Sequence, residues 1–212
     1  EGYGQCGIQD DGLELIETCK KEKTLAFSFD DGPRPFGIKA TFFVNGHNSP
    51  EFCIYDHAEL LLQMYNEGHQ IGHHSWSHLR LGNATPEEIE YQLALLRRGY
   101  KYIAGLDIDT TDSRSDLDIS RRIFSNLIQD KKPHISLNHD RVNCTADFFV
   151  PYAIRKAKQL GYNFDTIAGC IGKNDKHDWY NIVGKPQKRD YKTWRCTPDD
   201  RHGGLVTPNL NP

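Results

Sequence analysis

The chain has 212 residues, a formal net charge of -3 and 37% hydrophobic residues. That size suits one domain with a substantial core. The weak charge, with no basic stripe and no apolar run of membrane-spanning length, argues against nucleic acid as a partner and against a membrane span.

Residues 1–23 show no periodicity and read as an N-terminal arm tied down by Cys6 and Cys19. The stretch TLAFSFDDGP, from Thr24 to Pro33, is a short apolar run ending in two adjacent carboxylates and a Gly-Pro break. It reads as a buried strand leaving its sheet. A second strand follows over 38–44. Asp56 caps a helix that Gly68 ends, and Gln70–His73 is a brief strand. Thr85-Pro86-Glu87-Glu88 is a capping box with proline at the first helical position, opening a helix to Gly99. Residues 100–109 read as a strand, 116–130 as a helix, and 135–138 as a strand. A helix over 147–160 is closed by Gly161, and 163–168 is the last strand. The domain therefore spans 24–170, and the polar residues 171–212, rich in Pro and Gly, form an irregular tail.

Strands alternating with helices predict a parallel α/β sheet, open or closed into a barrel. One junction is short for that pattern. Only Asp30 to Gly37 separate the first two strands, where a parallel crossover normally needs a dozen or more residues. Either these strands are antiparallel or a segment is missing, and the second reading is preferred. Six scattered cysteines, Cys6, Cys19, Cys53, Cys144, Cys170 and Cys196, form no CxxC pair. They fit disulfides in a secreted, mature chain better than structural zinc. The sequons at Asn83 and Asn143 are compatible with that location, and no signal peptide remains at Glu1.

In such folds, reactive groups collect at the C-terminal ends of strands. Those ends here are Asp30-Asp31, His74-Ser75-Trp76-Ser77-His78, Asp109 to Asp112, and Asn138-His139-Asp140. The adjacent aspartates are either a solvated turn or half of a site, because paired carboxylates repel unless a cation lies between them. His74 and His78, at i and i+4, fall on one face of a helical turn. With Asp31 they make a two-histidine, one-carboxylate face suited to zinc hydrolysis or to non-haem iron oxygenation. His139 is a candidate general acid. The remaining histidines, His134 among them, have no comparable partners and read as structural.

These residues resemble the polysaccharide deacetylases of carbohydrate esterase family four, fungal chitin deacetylases above all. SFDDGP is similar to the family's first motif, HSWSH to its second, DTTD to its fourth and LNH in ISLNHD to its fifth. The likeness runs from about Leu25 to Tyr180. It implies a distorted (β/α) barrel of parallel strands, short of the usual eight and lacking some family segments. It also implies Asp30 as catalytic base, His139 as general acid and Asp112 as the carboxylate that tunes it. Asp31, His74 and His78 would be the ligands of zinc, with cobalt or another divalent transition metal as alternatives. Leu137 would wall the acetyl pocket, and Trp76 would give a sugar ring an apolar face.

The activity implied is hydrolysis of N-acetyl groups from chitin or a related N-acetylglucosamine polymer, by a monomer outside the cell or in its wall. Three departures leave an alternative, a shortened relative that binds metal and glycan with little turnover. The family helix between the first two strands is absent. The third motif, an Arg-Pro-Pro-aromatic run, is missing where Leu96-Arg97-Arg98-Gly99-Tyr100 stands, and Arg34 is the one candidate to replace its arginine. Ser113 stands where the fourth motif has tryptophan. A closed barrel would make the strands beside Cys19 and Cys170 neighbours, so that pair is expected as a disulfide. Cys6–Cys196 and Cys53–Cys144 follow by elimination.

Overall fold

The structure, a computed structural model, describes residues 14–31, 37–93, 100–181, 188, 190, 192 and 194–197. Its centre is β2 (Thr24–Asp30), every residue of which is buried. Side chains alternate across a strand. Leu25, Phe27 and Phe29 therefore face one way, into a core shared with Phe42, Phe124, Phe149, Val150 and Ala153. Ala26, Ser28 and Asp30 face the other way, toward the barrel axis. The aromatic side is layered: Phe29 stacks on Phe42 at 5.2 Å and Phe27 lies 5.9 Å from Phe124.

Around β2 lie β3 (Thr41–Val44), β4 (Gln70–His73), β6 (Ile108–Asp109), β7 (His134–Asn138) and β8 (Asn163–Asp165). They form one six-stranded sheet in the order β4-β3-β2-β7-β6, with β8 also on β2, and every pairing is parallel. β8 pairs the first half of β2 and β3 the second, so the two share one of its edges. Among the described residues, four longer helices accompany the sheet: α1 (Ala58–Glu67), α2 (Pro86–Leu93), α3 (Leu117–Leu127) and α4 (Val150–Gln159). A fifth, α5 (Ile167–Cys170), is a single turn. No helix of the described residues is long and apolar enough to cross a membrane.

Most of the start and stop signals hold, but Asp56 does not cap α1: it lies inside a 3-10 turn, Ile54–His57, and the residue before the helix is His57, which makes no side-chain capping bond. Thr85 and Glu88 exchange backbone-to-side-chain bonds of 2.7 and 3.2 Å at the head of α2, the reciprocal capping box. Asp116 accepts from the Ile119 N–H at the head of α3. Gly68 ends α1 in the left-handed region at φ 95°, where a side chain would be strained. The end of the helix predicted to run to Gly99 lies outside the described residues.

Several expectations are corrected. β2 and β3 are parallel despite the ten-residue connection, so the antiparallel alternative falls. The arm is not all irregular, because β1 (Glu14–Ile16) pairs with β5 (Tyr102–Ala104) in a separate two-stranded sheet. The single strand expected over 100–109 is two. Past Gly105 the chain leaves β1, and Asp107 takes the Ile135 N–H on its carboxylate at 2.6 Å before β6 joins β7. The last strand stops at Asp165, where Thr166 caps α5 by accepting from Gly169. The fourth helix opens as a π-helical turn, Thr145–Phe149. Pro151 follows it and has no N–H to return to the ladder.

Cys19 and Cys170 are bonded, Cα atoms 5.1 Å apart, as β2 and β8 lie side by side. The other two pairings are wrong. Cys53 bonds Cys196, and Cys144 is a free thiol; Cys6 lies outside the described residues. The tail therefore returns to the loop after β3, an approach that no local signal in the sequence announces.

Candidate metal and catalytic site

The C-terminal rim of the sheet gathers the predicted residues. Asp30 is the last residue of β2, faces the axis and is buried. Burial, with Asp31, Asp112 and Asp140 nearby, pushes its carboxyl up to about 7, against the opposing pull of His139. Adjacent residues of a strand would point to opposite faces. Asp31 escapes that rule by adopting φ 75°, a left-handed conformation that non-glycine residues rarely take. Its side chain is only 3% exposed.

His74 leaves β4 with its N–H still bonded to Val44 O, extending the ladder by one step. The loop that carries it on to His78 is not a helical turn. Ser75 and His78 both have positive φ, 63° and 58°, and the His78 N–H is held by the Ser75 hydroxyl. The two imidazoles nevertheless converge, centroids 5.0 Å apart. Two buried amides clamp this loop. Asn45 donates to the carbonyls of His74 and Ser75, while Gln92 accepts from the Ser77 N–H and donates to its hydroxyl at 2.8 and 2.7 Å. Strained backbone of this kind persists where surroundings over-determine it, and it clusters at functional sites.

One ligand atom from each of Asp31, His74 and His78 lies within 4.8 Å of the others. Asp31 Oδ2 accepts from Arg141 Nε at 3.0 Å, while Oδ1 is buried with no hydrogen bond. An orphaned carboxylate oxygen facing two imidazoles is a costly arrangement unless a cation completes it. Burial also pulls the His74 pKa down, favouring the neutral ring that a metal needs. The donor set, two nitrogens and one carboxylate oxygen, fits a divalent transition metal.

The second constellation is His139 with Asp112. Asp112 is buried and accepts four bonds: from His139 Nδ1 at 3.1 Å, the His139 N–H at 2.6 Å, Thr145 Oγ1 at 2.9 Å and Thr110 Oγ1 at 3.3 Å. Burial would push this carboxyl up, but the His139 bonds hold it below the ordinary range. In return, the bond to Asp112 raises His139 above its usual value, against desolvation. The bond holds Nδ1 of His139 on the Asp112 carboxylate and favours the charged ring, leaving Nε2 outside that pair.

Leu137 lines the cavity beneath the rim together with Asp30 and His74. Trp76 does not present a face there. It is 8% exposed, lies 5.9 Å from Tyr55 and 6.5 Å from Tyr91, and a Cβ on Gly46 would run into its ring. Its stacking role does not fit this burial. Ser113 is exposed on the turn after Thr111. Arg34 and residues 96–99 lie outside the described residues. Sequence reasoning missed Arg141, Asn45, Gln92 and Thr145, each of which holds a site residue rather than acting on substrate. Asn45 sits in KATFFVNG, a stretch that also resembles the family, but only the fold reveals these contacts.

The architecture is a distorted parallel (β/α) barrel with six strands in its main sheet and a candidate cation site on its C-terminal rim. Residues 17–109, a little under half of the chain, match the polysaccharide deacetylase family model. A chitin deacetylase of Pestalotiopsis sp is 29% identical over 234 residues, covering 90% of this chain and 78% of the relative. A chitin deacetylase of Arthroderma benhamiae is 25% identical, and the match covers 78% of this chain but 56% of that one. The solved chitin deacetylase of the fungal pathogen Colletotrichum lindemuthianum superposes with a TM-score of 0.67 at 22% identity, over 79% of this chain and 95% of that chain. At that identity the likeness speaks to the fold.

Proposed function

We propose that the chain is a metal-dependent hydrolase that removes N-acetyl groups from chitin or a related N-acetylglucosamine polymer. The observation that carries this reading is the orphaned Asp31 Oδ1 beside His74 and His78, facing a rim that also holds Asp30 and the His139–Asp112 pair. Asp31, His74 and His78 would hold zinc, or cobalt in its place. When bound, the cation supplies Lewis-acid polarisation of the acetamide carbonyl.

The chain's own residues supply the proton transfers. Asp30 accepts a proton from the attacking water as its oxygen bonds to the carbonyl carbon. The C–N bond then breaks, and His139 Nε2 protonates the departing sugar amine. Asp112 keeps His139 charged and oriented throughout. The products are acetate and a free glucosamine unit. Two disulfides support an oxidising location outside the cell, and a monomer is the working state.

A second reading, a relative that binds metal and glycan with little turnover, draws on one observation. Among the described residues, the arginine that reaches the carboxylate pair, Arg141, bonds Asp31 and not Asp30, and it is 65% exposed. Acetate release from chitin oligomers with added zinc or cobalt separates the two readings. Stoichiometric zinc without acetate from any acetylated glycan selects the second. Zinc binding that survives His78→Ala unchanged removes the cation site from both, since loss of a ligand costs much of the binding free energy.

A further inference from the structure

Below the catalytic rim the barrel axis is hollow. A cavity of about 200 Å³ begins at Asp30, His74 and Leu137 and is lined by Phe43, Ile103 and Ile167. Ile167 packs beside Ala26 and Ile135, deep in the sheet. Ala26 lies four residues below Asp30 on β2, which is roughly 13 Å of strand. The cavity therefore has the depth of an extended chain of several methylenes.

The hollow has a cause in the sequence. Barrel interiors are normally filled by layers of bulky branched side chains from alternate strands. Here β2 contributes Ser28 and β4 contributes Gly72 to that layer. A Cβ at Gly72 would collide with the Phe43 ring, so the glycine lets Phe43 lie flat against β4. Two of the polar wall groups are already committed. The Ser28 hydroxyl donates to Ser136 O, and Gln70 Oε1 accepts from Thr41 and from the Ala168 N–H. What remains for an occupant below the rim is largely apolar wall, with the rings of His73, Tyr100 and Tyr102 on one side and His73 Nδ1 buried there without a hydrogen bond.

An acetyl methyl would use only the top of this space. A dry apolar void of about 150 Å³ is large enough to take up a benzene ring, and folded domains retain few voids of that size. Two further wall residues are unusual for a solvated surface: Ile103 is 42% exposed and Leu106 40% exposed. Apolar side chains thus line the space from buried depth to open surface, in continuity with the catalytic rim.

We propose that the substrates are amino sugars bearing an aliphatic N-acyl chain longer than acetyl, with the tail held in this cavity. The inference rests on the hydrolase reading above and names the acyl group it serves. The reaction is the same hydrolysis: water adds its oxygen to the acyl carbon, the C–N bond breaks, and an aliphatic carboxylate and a free amine leave.

The test compares N-hexanoyl and N-acetyl disaccharides of glucosamine on the zinc-loaded chain, by calorimetric binding and by acid release. Each buried methylene is worth up to about fourfold in affinity, so the hexanoyl compound should bind at least about tenfold tighter and be cleaved with the higher kcat/KM. Leu106→Trp, which narrows the cavity at an exposed position, should lower that preference, with the thermal melt confirming that the variant folds. Equal affinity for the two compounds, or preference for acetyl, overturns the proposal while acetate release leaves the hydrolase reading standing. If neither disaccharide binds or is cleaved, both readings fall together.

Discussion

Asp30 and Asp31 are chemically identical neighbours, yet the backbone gives them separate settings. Asp30 stays in the strand and is buried toward the axis, where desolvation pushes its carboxyl up to about 7. Asp31 turns through a left-handed conformation and aims one oxygen at the imidazoles. Asparagine tolerates that conformation better than most residues, so Asp31→Asn tests the ligand without breaking the turn. It should weaken zinc binding by about a hundredfold or more. Asp30→Asn should leave zinc bound and reduce turnover by about a hundredfold to ten-thousandfold. Titration calorimetry alongside acetate release reads the two effects, and equal loss of metal in both variants would show the pair acting as one clamp. That the pair belongs to a candidate site was legible from two carboxylates at a strand end, and their proposed division into base and ligand only from the family resemblance. The means were not, because a positive φ at a non-glycine residue leaves no mark in the sequence.

Elements were legible mostly where chemistry is local, Asp56 ahead of α1 being an exception. The Thr85–Glu88 box, the Gly68 stop and the buried run of β2 depend on residues within a few positions of one another. The other failures fall where a distant partner decides. β5 and β6 divide a continuous apolar stretch because their partners, β1 and β7, belong to different sheets. β4 shows the same dependence at its free edge. Both polar groups of Ile71 are met by one hydroxyl: the N–H donates to Tyr180 Oη at 2.9 Å, and Tyr180 donates to the Ile71 carbonyl at 2.9 Å. A tyrosine 109 residues away stands in for a neighbouring strand and blunts an edge that would otherwise be open to pairing. Tyr180→Phe should therefore cost about 1–3 kcal/mol in urea unfolding while zinc stoichiometry stays unchanged. A variant as stable as the parent would mean that water satisfies Ile71 equally well.

At the scale of the whole molecule, stability and chemistry occupy opposite ends of the sheet, the division expected of barrels. The N-terminal end is pinned covalently by Cys19–Cys170, which closes a separation of 151 residues. The chain-entropy model values that link at about 5 kcal/mol, so the double Cys19→Ser, Cys170→Ser variant should show the loss in denaturant unfolding while retaining the cation site. Beside the disulfide sits His134, which does have partners. Nδ1 donates to Asp107 and Nε2 to Asp130, both at 2.9 Å, and Thr18 donates to Asp107 as well. Burial pulls this imidazole down, but the two carboxylates carry its pKa above the ordinary value. The sign of the pH dependence follows. Well below the unfolded pKa, near 6.5, the ring is charged in both states and its full contribution to stability is present. As pH rises through the higher folded value the proton leaves, and the contribution is lost. Asp107 and Asp130 are 31% and 39% exposed, so solvent screening keeps the effect modest. The stability difference between the parent and His134→Asn should therefore be largest at about pH 6 and shrink toward about pH 9. Denaturant midpoints measured for both proteins across that range give the answer. A difference that stays constant with pH would mean that His134 is held by shape alone and carries no charge in the fold.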